Sequence, residues 1–290
     1  MRLVTFDRDR PRTGALIGDR VLDISSADSF LPMRIEEILH RGLLPEILNI
    51  VDNAWTLGRE HFLPPEEVDL FPPVPLPGKI VCLGLSYASH AGEQGREPPD
   101  HPVLFAKAPT ALSGPFDDIL IPPGVEDVDA EAEVAVVIGR AGSTIPEDEA
   151  EDYIAGFMAF NDVSARAIQR SDRQWFRSKS FDTFAPCGPY LVTPDEVGDY
   201  GDLKVVQRLN GEVMQEGSTS DMIFPIGRVI SFVSSGMTLM PGDIIATGTP
   251  AGVGVFRDPQ VFLRDGDVVE VEIENVGTLR NRVRASKGGE

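Results

Sequence analysis

Two carboxylates open the stretch VDAEAEVAVVIG: Glu131 and Glu133 stand two residues apart at the head of an apolar run. On a β-strand, residues i and i+2 share a face, with Cα atoms about 7 Å apart. Two acids led side by side into a core repel each other and are costly to bury. A divalent cation between them is the simplest remedy. A third carboxylate, Asp162, ends the next long apolar run, GFMAFND. Three oxygen ligands select a hard cation such as Mg²⁺, Mn²⁺ or Ca²⁺ over Zn²⁺. Spacing alone leaves the metal reading open beside a bland one, because alternation on a solvated strand also produces E-x-E pairs.

Other groups could do chemistry. His90 and Glu93 are three apart in SYASHAGEQG, neighbours on one helical turn. His40 and His61 have no clustered partners and read as structural or solvated. Cys82 and Cys187 lie in apolar surroundings without CxxC spacing, as buried thiols of a reducing cytosol. TGTPAGVG is rich in glycine but has no lysine and no following helix, so it is not read as a phosphate loop.

The elements that must position these groups follow from periodicity. Residues 1–70 alternate like a strand hairpin and then take helical spacing over 33–57, a small α+β unit. PPEEVDLFPPVPLPG is too rich in proline for helix or central strand, so a linker is placed at 71–79. Residues 80–285 form the second unit, mostly strands with about three short helices. Residues 144–155 read as a helix capped by Thr144, and 224–236 as another that stops at glycine. Asn210-Gly211 between alternating runs predicts a hairpin. The strands do not alternate as βαβα, so a doubly wound sheet is not expected.

Composition narrows the partners. The net charge of −20 argues against nucleic acid and anionic membranes. No apolar run reaches 18 residues, and MRLVTFDRDR has no apolar leader core, so a cytoplasmic location is expected. An anionic substrate would have to be drawn in by a local cationic site.

Eight stretches in order, from GLSYASHAGE and VLFAKAPTALSGP through VDAEAEVAVVIG, AFNDVSAR and QWFRSKSFDTFAPCGPYLVT to LNGEVMQEGSTSDMIF, MTLMPGDIIATGTPAGVG and DGDVVEVEIENVGTLRN, resemble the fumarylacetoacetate hydrolase family. The resemblance implies a mixed β-roll or sandwich fold (α+β, mostly β), a small N-terminal domain and a homodimer. It implies Mg²⁺, or Mn²⁺ or Ca²⁺, on Glu131, Glu133 and Asp162. It implies His90 as acid/base with Glu93, Lys179 as the active-site cation, and Thr249 as a substrate-carboxylate contact. Arg166, Gln174 and Tyr87 are further candidates for substrate contact. Ser178 and Ser86 stand where the family often has Gly and Asn, and no acid lies in Leu83–Ser86, so three carboxylates and water are expected to hold the metal. The expected reaction is hydrolysis of a C–C bond in an acylpyruvate-type 2-oxo acid, through an enolate. The alternatives are oxaloacetate-type decarboxylation, keto–enol or double-bond isomerisation of a hydroxymuconate-type diacid and, more distantly, a binding protein without catalysis.

Overall fold

The computed structural model describes residues 1–7 and 10–285. Its main strands are β1 (Arg2–Phe6), β2 (Arg12–Ile17), β3 (Arg20–Asp23), β4 (Ile80–Gly84), β5 (Val103–Lys107), β6 (Ala132–Ile138), β7 (Ile154–Asn161), β8 (Ala185–Val192), β9 (Lys204–Leu209), β10 (Glu212–Ser218), β11 (Ile244–Ala246), β12 (Val268–Ile273) and β13 (Gly277–Ala285). The helices used below are α1 (Leu44–Asp52), α2 (Ala88–Glu93), α3 (Arg166–Asp172) and α4 (Ile226–Gly236).

Every side chain of β6, AEVAVVI, is buried. A strand apolar on both faces must lie inside a sheet that is covered on both sides. β6 pairs antiparallel with β7 on one edge and with β11 on the other. The long strands of the large sheet run β3-β2-β1-β8-β7-β6-β11-β4-β5, with β11 and β4 parallel. A second sheet runs β10-β9-β12-β13 and ends on the short strand Ile119–Ile121, parallel to β13. One face of β6, with Ala132, Val134 and Val136, shares a core with Val205, Val271 and Ile273 of the second sheet and Val229 and Ile230 of α4. The other face, with Ala135 and Val137, shares a core with Leu3, Leu22 and Ile47. The chain is thus a mostly β, mixed-sheet protein with a few helices, as expected.

This alternation aims the acids. Glu131 and Glu133 precede Ala135 and Val137 in the i, i+2 series, so they share that face. On β7, Met158 and Phe160 belong to the same core. Asp162 follows them two residues on. The β6–β7 register pairs Ala132 with Asn161, and the Asp162 N–H donates to the Glu131 carbonyl at 2.9 Å. Three carboxylates thereby meet at the end of one strand pair.

The N-terminal strands extend the large sheet, because β1 pairs with β8, Arg2 opposite Val192. Leu70–Phe71, inside the proline-rich stretch, also pairs with β1. Asn210 and Gly211 turn the β9–β10 hairpin with φ of 53° and 86°, the left-handed pair that a tight hairpin requires. The expected helix over 144–155 is corrected to a 3₁₀ segment, Glu147–Tyr153. Thr144 is not its cap. Its N–H donates to the Ser234 carbonyl at 2.8 Å, and the Ile145 N–H donates to Ser234 Oγ at 2.9 Å. Both residues are spent on docking against α4 and cannot start a helix.

Candidate active site

The ligand-capable oxygens of Glu131, Glu133 and Asp162 all lie within 4.8 Å of one another, and all three residues are buried. Each has different company. Glu131 accepts from Arg166 Nη2 at 2.8 Å and from Lys179 Nζ at 2.7 Å. Asp162 accepts from Lys179 Nζ and from Lys107 Nζ, each at 2.5 Å. Glu133 accepts from the Gly248 N–H at 2.9 Å. Burial alone would raise the pKa of Glu131, but Arg166 and Lys179 outweigh it and hold the carboxyl below its ordinary range. Glu133 goes the other way: burial, then Asp162 and Glu131, push it well above. Lys179 and the Gly248 N–H offset this only in part, so Glu133 is the least compensated of the three.

This donor set fits a hard divalent cation. It is all oxygen, it converges, and its one under-compensated carboxylate calls for positive charge. Four buried carboxylates (Asp129, Glu131, Glu133, Asp162) face three buried cations (Lys107, Arg166, Lys179), one negative charge in excess. A divalent cation would turn that excess to one positive charge, which suits an anionic substrate.

Lys179 stands at the end of a 3₁₀ turn, Arg177–Lys179, with Nζ 4.9 Å from the Phe105 ring centre. Burial opposes its charge, yet Asp162 and Glu131 outweigh burial and raise its pKa. Phe105 in turn meets Trp175 edge-on at 5.1 Å. A side chain at Gly84 would run into Trp175, its Cβ 2.6 Å from the ring, so the end of β4 needs glycine there.

His90 lies on α2 and donates from Nδ1 to Glu93 Oε1 at 2.6 Å, taking the tautomer that leaves Nε2 as the acceptor. Glu93 Oε2 accepts from the Gly252 N–H at 2.9 Å, which ties the pair to the TGTPAGVG turn. Gln94 Nε2 is 2.8 Å from His90 Nε2. The same turn is fixed from below. Ser86 Oγ donates to the Thr247 carbonyl at 2.6 Å, and Gly248 at φ 88° leaves no room for a Cβ beside that hydroxyl.

A cavity of about 330 Å³ gathers His90, Gln94, Glu131, Glu133, Lys179 and Thr249 on its walls. Asp162 sits behind Lys179 and Lys107. The other expected contacts divide. Arg166 lines the cavity, but its guanidinium is spent on Asp129 Oδ2 (3.1 Å from both Nε and Nη2), Glu131 and Gln169 Oε1 (3.0 Å), so it positions a ligand carboxylate. Thr249 lines the cavity, with its hydroxyl proton donated to the Ala132 carbonyl at 2.7 Å. Gln174 is exposed and off the cavity wall, because the chain leaves α3 through a left-handed residue, Arg173, just before it. Gln169, one turn of α3 after Arg166, takes the wall position instead. Tyr87 is buried in the core shared by the two sheets and is not on the wall.

Four positioning residues carried no role in the sequence reading. Lys107 ends an apolar strand, and burial lowers its pKa against the pull of Asp162. Asp129 accepts from the N–H groups of Ala130, Gly254 and Val255 as well as from Arg166. Gln215 accepts from the Ala132 N–H at 2.9 Å and donates to Thr249 Oγ1 and the Pro250 carbonyl, both at 2.7 Å. Gln94 meets the acceptor nitrogen of His90. Cys82 lies near the carboxylates, but burial, then Asp162 and Glu133, raise its pKa well above normal, so the thiol stays protonated.

Residues 79–284 match the model for the fumarylacetoacetate (FAA) hydrolase C-terminal region. A Bos taurus protein named oxaloacetate tautomerase FAHD2A, mitochondrial, is 44% identical over 290 residues, covering 98% of this chain and 91% of its own length. The solved structure of 5-carboxymethyl-2-hydroxymuconate delta-isomerase from Mycobacterium smegmatis superposes with a TM-score of 0.79 at 35% identity, covering 99% of this chain and 100% of its own. Maleylpyruvate hydrolase from Sphingobium sp. SYK-6, solved with manganese(II) and pyruvate, gives a TM-score of 0.81 at 30% identity with the same coverage. The cytoplasmic expectation is corrected by the bovine relative, which is named mitochondrial. The lack of an apolar leader in MRLVTFDRDR therefore assigns no compartment. No helix among the described residues is long and apolar enough to cross a membrane.

Proposed function

The chain belongs to the fumarylacetoacetate hydrolase family, and from that premise we propose that it is a divalent-metal-dependent enzyme that moves a proton at C3 of a 2-oxo acid, interconverting the keto and enol forms of an oxaloacetate-type substrate. The observation that carries this reading is the setting of His90. Its Nδ1 is held by Glu93 and its Nε2 meets the Gln94 amide, on the wall of the cavity that Glu131 and Glu133 also line. A base oriented by Glu93, with its accepting nitrogen on the cavity wall, suits proton transfer to and from a bound substrate, whose C3–H would take the place of the Gln94 amide at Nε2. Relatives named as a tautomerase and a delta-isomerase favour rearrangement over hydrolysis, since both names denote reactions without added water. Hydrolysis, the expectation from sequence, stands second on the likeness to maleylpyruvate hydrolase.

Glu131, Glu133 and Asp162 would hold the cation. A cation held there would supply Lewis acidity that makes C3 of a 2-oxo acid easier to deprotonate. His90 Nε2 takes the C3 proton. The C3–H electron pair becomes the second C2–C3 bond, and the carbonyl π pair moves onto the C2 oxygen. His90 then delivers the proton to that oxygen, so atoms and charge balance without a co-reactant. Glu93 keeps Nδ1 protonated and the ring oriented. The fixed Lys179 ammonium offsets negative charge as it develops on the oxygen.

The test follows ketonisation of enol-oxaloacetate in the ultraviolet beside pyruvate release from acetylpyruvate, each with Mg²⁺ or Mn²⁺ and with EDTA. Metal-dependent ketonisation that outpaces pyruvate release is expected. Faster pyruvate release would put hydrolysis first. Inactivity on both, with oxalate still bound, would favour a binding protein.

A further inference from the structure

The molecule carries a net charge of −20, yet the cavity wall gathers three arginines besides the buried Arg166: Arg96, just beyond α2, and Arg170 and Arg173 at the end of α3. Arg170 is taken, by Asp127 at 3.0 Å. Arg96 and Arg173 have no ion pair among the described residues, and both are exposed at the cavity. Other arginines, among them Arg20, Arg34 and Arg264, also have no ion pair among the described residues, but they lie off this cavity.

Arg173 has a second peculiarity. It caps α3 at φ 60° and ψ −20°, in the left-handed region. Glycine or asparagine is the usual occupant of such a helix end, because a Cβ there crowds the backbone. Among the non-glycine residues with positive φ, Arg173 is the one whose side chain is a cation on the cavity wall. Its backbone turn directs the chain from α3 toward Trp175 and Lys179, which line the same cavity.

We propose that Arg173, with Arg96, forms the subsite for a second carboxylate, so that this site selects 2-oxo dicarboxylates over 2-oxo acids with an uncharged far end. The inference rests on the proposed function for the near end of the substrate and adds the residues that read the far end. An exposed guanidinium with no ion pair among the described residues, on the wall of the cavity proposed to take the 2-oxo acid group, is complementary to a planar carboxylate. It also supplies the local attraction that the overall charge denies.

The experiment compares oxaloacetate with its C4 amide, 2-oxosuccinamate, which keeps the shape and lacks the distal charge. In the metal-loaded protein, the ratio of kcat/KM for acid over amide is expected to fall roughly tenfold to hundredfold in Arg173→Gly. Arg173→Lys should restore part of the ratio, and Arg96→Gln should lower it on its own. Arg173→Gly also relieves the strained φ, so its melting temperature should equal or exceed the parent's. Lost selectivity in a protein at least as stable cannot be put down to unfolding. An unchanged ratio in the Arg96→Gln/Arg173→Gly double variant would overturn the proposal. Titrations of 2-oxoglutarate and 2-oxoglutaramate into the metal-loaded protein keep the two readings apart. If nothing is turned over but the acid-over-amide affinity ratio falls in Arg173→Gly, the reaction is wrong and the subsite stands. If ketonisation proceeds and neither ratio moves, the subsite is wrong and the reaction stands.

Discussion

Replacing Arg166 by leucine separates what holds the ligand carboxylates from what they bind. The guanidinium is buried and donates to Asp129 twice, to Glu131 and to Gln169. Leucine keeps an apolar stem and removes the charge. Breaking one side of a buried ion pair costs roughly 3–5 kcal/mol, because the abandoned charge stays buried. Two features pull the expectation to the lower end. Asp129 keeps three backbone donors, and Glu131 keeps Lys179. A loss of about 3 kcal/mol corresponds to a fall in melting temperature of roughly 5 °C for a protein of this size. The pH dependence gives the sharper check. Glu131 has a folded-state pKa below its ordinary value of 4.5, so its stabilisation is present above that value and is lost as pH falls through the folded pKa. Arg166→Leu removes much of this contribution, so the gap to the parent should be full near neutrality and close as acid is added. Thermal and urea unfolding in EDTA, near pH 7 and near pH 3, well below the ordinary value of 4.5, measure it. A gap under about 1 kcal/mol at neutral pH, or one that widens in acid, would refute the reasoning.

Glu133→Gln should weaken Mn²⁺ binding at least about tenfold by calorimetry, since it removes a ligand charge; unchanged affinity would remove Glu133 from the metal site. Glu93→Gln should lower kcat at least about tenfold with Mn²⁺ affinity kept, and parental kcat would show that His90 needs no orienting partner. Gln215→Leu leaves the Ala132 N–H and the Pro250 carbonyl unpaired, a cost of roughly 2 kcal/mol or more in urea unfolding; a change below about 0.5 kcal/mol would deny that Gln215 ties the turn to β6.

What sequence made legible follows from periodicity. The i, i+2 placement of Glu131 and Glu133, and the end of the next apolar run at Asp162, brought the carboxylates together because strand alternation is a local rule. His90 and Glu93 met because three residues make a helical turn. Gln169 was equally within reach, being three residues after Arg166 on a segment that reads as helical, but preferring it to Gln174 required knowing that the helix ends left-handed at Arg173. Lys107, Asp129 and Gln215 were not legible. Their partners Asp162, Arg166 and Thr249 lie 55, 37 and 34 residues away, and no local pattern marks a polar residue for a distant contact. The same holds for the sheet that joins Arg2 to Val192. Thr144 misled because a good capping residue was spent on a tertiary contact with Ser234.

The central claim is that His90 relocates a proton at C3. Exchange of C3 hydrogen for deuterium in ²H₂O, followed by proton NMR on 2-oxoglutarate and oxaloacetate with the Mn²⁺- or Mg²⁺-loaded protein, measures that step without regard to product. The account predicts catalysed exchange that EDTA abolishes and that His90→Gln slows by about 10²-fold or more, with metal affinity preserved. Exchange that survives in His90→Gln at the parental rate would contradict it.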